Sequence, residues 1–136
     1  MGYFIVGGIV VVCGIAMVSP MIFTSRKIKG YQGVSRDDFQ SALSKEGIPE
    51  NISSAVFDFY QKKARWKGFS PAPEMDINAV FEEGPEDIDD TAIDLLKGLH
   101  LEAPSELDRR AWPGGEVRTA SDLARWLYWA SQHQSA

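Results

Sequence analysis

Residues 86–99 read EDIDDTAIDLLKGL, and the spacing of their apolar positions decides the fold. Ile88, Ala92, Leu95, Leu96 and Leu99 recur at intervals of three and four, which places them on one side of a helix. The acids Glu86, Asp87, Asp89, Asp90 and Asp94 fall between them and so belong to the outward side. Gly84-Pro85 breaks the chain just upstream, and acids suit the first turn, where the helix dipole is positive.

Helical signals extend outward from this stretch in both directions. Thr119 with Asp122 three residues later is a cap signature, and Leu123, Trp126, Leu127 and Ala130 form the apolar face of a last helix. Pro104-Ser105 opens a short helical turn to about Arg110, followed by a Trp112-Pro113-Gly114-Gly115 loop. Upstream, Asp76 caps a brief helix bearing Ile77, Val80 and Phe81. Ile52, Val56, Phe57, Tyr60 and Ala64 form the stripe of a helix that begins at Asn51 or Ser53 and ends at Gly68. Ser35 caps a short helix with Phe39, Ala42 and Leu43, stopped by Gly47 and Pro49. Sustained period-2 alternation is absent, so the expected fold is all-α: a small helical bundle over residues 35–136.

Residues 3–24, YFIVGGIVVVCGIAMVSPMIFT, are of another kind. No charged side chain occurs from Met1 to Ser25. A bilayer core of about 30 Å needs about 20 apolar residues in a helix, so this run is long enough to span it. No Lys or Arg precedes it, it exceeds the usual signal-peptide core of about 7 to 15 residues, and no A-x-A site follows. The expectation is an uncleaved transmembrane anchor over residues 1–25, with a basic juxtamembrane linker over 26–34. Arg26, Lys27 and Lys29 form the basic flank, which by the positive-inside rule puts the helical domain on the cytoplasmic side of the cell (inner) membrane. Cys13, the one cysteine, falls inside the apolar run, which excludes an internal disulfide and a cysteine-based zinc cluster.

Three stretches together resemble the acyl carrier protein-like fold: PEMDINAVF from Pro73, EDIDDTAIDLL from Glu86 and TASDLARWL from Thr119. The resemblance covers about residues 49–131. In true carriers a serine in a D-S-L motif accepts phosphopantetheine, and the acidic helix after it docks partner proteins. The matching place here is Asp90-Thr91-Ala92, so the carrier-like position is Thr91. Threonine carries a β-methyl that crowds its oxygen. The resemblance thus implies the fold more than the carrier chemistry, and no cofactor is expected.

Charge divides the chain. From Gly68 to Asp108 there are 12 acids and a single base, Lys97. Clustered charge of one sign orients encounter with a partner of the other sign. The expected contact set for a basic protein partner is Glu86, Asp87, Asp89, Asp90 and Asp94, with Trp129 as an aromatic anchor. Arg125, four residues before Trp129, is placed to stack on it. A calcium loop beginning at Asp87 fails, because its sixth position is Ala92 and its twelfth is Gly98. The run of Lys62, Lys63, Arg65 and Lys67 reads as a solvated helix end, where cations meet the negative end of the dipole; as a functional surface it suits anionic lipid headgroups better than nucleic acid, since the soluble part is acidic overall. His100 and His133 lack ligand spacing, and no nucleophile elbow, P-loop, dinucleotide or zincin motif occurs. The functional expectation is a membrane-tethered interaction module without catalytic activity or a metal site. Its alternatives are a membrane-bound carrier using Thr91 and a structural subunit of a membrane complex.

Overall fold

A computed structural model describes residues 28–134 of the 136-residue chain. The expected transmembrane anchor, Arg26 and Lys27 lie outside the described residues. Among the described residues, after a helical stretch at 28–30, the helices in order are α1 Arg36–Ser44, α2 Glu50–Ala64, α3 Ile77–Phe81, α4 Pro85–Gly98, α5 Glu106–Arg110 and α6 Ala120–Gln132. No helix among the described residues is long and apolar enough to cross a membrane. The described residues are all-α, apart from one isolated bridge between Asp76 and Thr119.

Local chemistry sets the helix ends. Ser35, Asp76, Ser105 and Thr119 each accept a backbone N–H three residues on, satisfying an otherwise orphaned donor. Asp122 returns the favour at α6, accepting from the Thr119 N–H at 3.0 Å in a capping box. Two ends differ from the sequence expectation. Helix α2 starts at Glu50 behind Pro49, with no side-chain cap. It stops at Arg65, which takes a left-handed conformation (φ 52°), three residues before Gly68.

Helix α1 packs on α2, α2 on α6, and α6 on α4. The core they enclose includes Phe39 and Leu43 of α1, Val56 and Tyr60 of α2, Leu96 of α4, and Leu123 and Leu127 of α6. Each such side chain contributes about 1.5–3 kcal/mol by leaving water. Phe39 and Phe57 meet edge to face at 5.4 Å, which fixes α1 against α2. The bridge at Asp76 and Thr119 joins the starts of α3 and α6. Ile77 N donates to Arg118 O at 2.9 Å, and Ala120 N donates to Met75 O at 3.0 Å.

The stretch read as a juxtamembrane linker is not a free spacer over its described part. Ile28 is 5% exposed and belongs to the core. Tyr31 packs on Phe69 at 5.6 Å, and Phe69 on Phe81 at 5.6 Å. Gly33 lies so close to the 69–72 segment that a Cβ there would sit 1.7 Å from the Ser70 carbonyl oxygen. The described residues 28–34 therefore pack against the helical domain.

Candidate functional site

Helix α4 is set by Gly84 at its N-cap and Pro85 at its first position, where a missing N–H costs nothing. Asp87 accepts from Gly84 N at 3.1 Å, so this acid has a structural task at the helix start. Ile88, Thr91, Ala92, Leu95 and Leu96 are buried. Glu86, Asp89, Asp90, Ile93, Asp94 and Lys97 then fall at i, i+3, i+4, i+7, i+8 and i+11, a single outward row. The four acids of that row are exposed, and among the described residues their carboxylates make no hydrogen bond or ion pair. The acidic face expected from the sequence is thus one continuous surface, with Ile93 as an apolar side chain set among the acids.

Beside this row runs a groove of about 300 Å³ between α4, α6 and the loop that joins α5 to α6. Ile88, Ala92 and Ile93 form its α4 wall, with Trp126, Trp112 and Val117 opposite. Asp89 and Glu116 put carboxylates at its lining, and Arg109 adds one cation whose Nε donates to Pro104 O at 3.0 Å. A second cavity of about 240 Å³ shares Pro85, Ile88, Glu116 and Val117 with the groove and extends it toward Asp76 and Arg118. Apolar side chains with carboxylates among them suit an apolar side chain flanked by cations.

Several expected residues are placed differently. Trp126, expected in the core, is half-buried and lines the groove. Trp129 does not line it. It packs on Trp112 at 5.6 Å and on Trp126 at 6.5 Å, and so backs the groove's aromatic wall. The cation expected on Trp129 is elsewhere: Arg125 reaches Glu46 at 2.7 Å and Asp122 at 2.9 Å, tying α6 to the end of α1. His133 stacks on Trp129 instead, with ring centres 4.4 Å apart. Thr91 is 6% exposed and is the seventh residue of α4, inside the acidic helix rather than ahead of it.

One buried charge had no counterpart in the sequence reading. Glu83 is 4% exposed and pairs with Lys63, whose ammonium also lies 5.8 Å from the rings of Phe59 and Phe81. Tyr60 donates to Glu83 at 3.5 Å, and its own ionisation is pushed upward by burial first and then by the Glu83 charge. Glu83 sits directly before the α4 start, and its carbonyl accepts from Asn78 at 2.9 Å. The network pins α2, α3 and the entrance to α4 together. Lys29, the described member of the basic flank, is exposed, with its ammonium 4.8 Å from the centre of the Trp66 ring. Among the described residues no group of three or more His, Cys, Asp or Glu is arranged to hold a metal ion.

Compared with family models, with curated proteins and with solved structures, the chain matches none.

Proposed function

We propose that this protein is a membrane-tethered helical adaptor whose α4 face and adjoining groove dock a basic protein partner. One observation carries the reading: Glu86, Asp89, Asp90 and Asp94, unpaired among the described residues, share one face of α4, and Asp89 and Ile93 of that face line a groove together with Trp112 and Trp126. The acids steer and orient a cationic segment, and the groove takes an apolar side chain from it. The uncharged run at residues 3–24 supplies the tether, which raises the local concentration of the domain at the membrane.

The carrier alternative would have to work through Thr91, which is 6% exposed within α4. The test is co-purification of the full chain from membranes in mild detergent. Glu86, Asp89, Asp90 and Asp94 are reversed to lysine, and Asp87 is left intact because it caps α4. Partners that remain bound at the wild-type level refute the docking role. Loss of a basic partner, with helix content unchanged by circular dichroism, supports it.

A further inference from the structure

We propose that the C-terminal end of α2 is a second membrane contact, in which Trp66 enters the interfacial layer of an anionic bilayer while Lys29, Lys62, Arg65 and Lys67 meet its headgroups. The inference rests on the tether reading and adds to it a fixed seat for the domain.

Trp66 is 43% exposed and is the one large apolar side chain in that state among the described residues. The other tryptophans are half-buried. Tryptophan favours the boundary between water and lipid, where its ring is half solvated. Lys62, Arg65, Trp66 and Lys67 line a single shallow concavity together with Asp58 and Gln61. Asp58, its one acid, is already paired with Arg36. Lys29, Lys62, Arg65 and Lys67 are exposed, and none of them forms an ion pair among the described residues. Arg36, Lys63 and Arg125 in contrast all hold carboxylates. An unneutralised cationic cluster around an exposed tryptophan, on a chain of net charge -5, is complementary to anionic lipid.

The chain's own course selects a bilayer as the occupant. Lys29 follows Thr24, the last residue of the apolar run, by five positions, a reach of at most about 18 Å. From Ile28 onward the chain is packed into the domain, and Lys29 already touches the Trp66 ring. Slack for holding Trp66 far from the point where the apolar run meets the bilayer is therefore short.

The full chain is reconstituted into phosphatidylcholine vesicles with and without phosphatidylglycerol, each carrying brominated acyl chains that quench nearby tryptophan. In the anionic vesicles the quenched share is expected to be about a quarter of the total emission, one tryptophan of the chain's four, and W66F is expected to lose most of it. The same share should fall at least twofold in neutral vesicles and in the K29Q/K62Q/R65Q/K67Q variant. Unchanged quenching in W66F, or an equal share in neutral lipid, overturns the inference. Flotation after a carbonate wash reads the tether separately. Protein that floats with Trp66 unquenched removes the second contact and leaves the tether. Protein released by carbonate, yet quenched at Trp66 in anionic vesicles, removes the tether and leaves the contact.

Discussion

Replacing Lys63 by methionine should destabilise the domain far more than replacing Glu83 by glutamine, although both changes break the same pair. The reason is unequal exposure: the Lys63 side chain is 38% exposed and that of Glu83 is 4% exposed. Without the ammonium, the Glu83 carboxylate keeps only the long 3.5 Å bond from Tyr60. Losing one partner of a fully buried pair costs about 3–5 kcal/mol, and the solvent-facing side of Lys63 puts K63M at about 3 kcal/mol. Methionine retains the apolar stem beside Phe59 and Phe81, so the cost reports charge rather than packing. In E83Q the stranded group is an ammonium that can rehydrate, and the cost is about 1 kcal/mol. The double variant should resemble E83Q, which gives a coupling of about 2–3 kcal/mol. Urea unfolding of the full chain in micelles, followed by tryptophan fluorescence, reads all three. Thermal melting should fall by about 12–24 °C in K63M, at about 4–8 °C per kcal/mol for a domain of this size. Equal, additive costs for the two single variants would refute the buried-charge argument.

Three further outcomes follow from the same packing. Gly33→Ala should cost about 1–3 kcal/mol in urea unfolding, since its Cβ would meet the Ser70 carbonyl and force the chain off the domain; a neutral effect would mean that residues 28–34 are not docked. Asp122→Ala should cost about 1 kcal/mol by freeing the N–H groups of Arg118 and Thr119. Burial alone would raise the Asp122 pKa, but those two donors, the Thr119 hydroxyl and Arg125 together lower it, so the stability it contributes is lost as pH falls through its folded value. Tyr60 gives the opposite window. Its folded pKa is raised above the unfolded 10.0 by burial and by Glu83, so above that pH the unfolded chain binds fewer protons and stability falls. The slope should reach about 1.4 kcal/mol per pH unit from this residue, and Tyr60→Phe should flatten it between about pH 9 and about pH 11.

The helices were legible in the sequence because their signals are local. Ser35, Asp76, Ser105 and Thr119 each announce a start within three residues, and the apolar stripes of α2, α4 and α6 repeat inside a single helix. The acids of α4 were legible for the same reason. The groove was not, because Trp112 and Trp126 reach it from separate segments that only the folded chain brings opposite Ile93. Ile93 itself carried a signal, as an apolar residue on the charged side of its helix. The docking of residues 28–34 depends on Ser70, far along the chain, so two glycines read as a linker when one of them is a close-packing site. Arg65 ends α2 by taking a left-handed conformation that residue type alone does not announce. Glu83 looked like one acid among many, and its burial becomes visible only when Lys63 and Tyr60 are folded against it.

Site-specific photocrosslinking of the full chain in its native membrane tests the docking face most directly. A photoreactive residue is placed at Asp89 or at Ile93, with Ser44 on the exposed side of α1 as the control. Docking at this face should give a discrete protein adduct at Asp89 and Ile93, none at Ser44, and loss of the Ile93 adduct when Asp90 and Asp94 are reversed to lysine. An adduct equally strong at Ser44, or an Ile93 adduct indifferent to charge reversal, would contradict it.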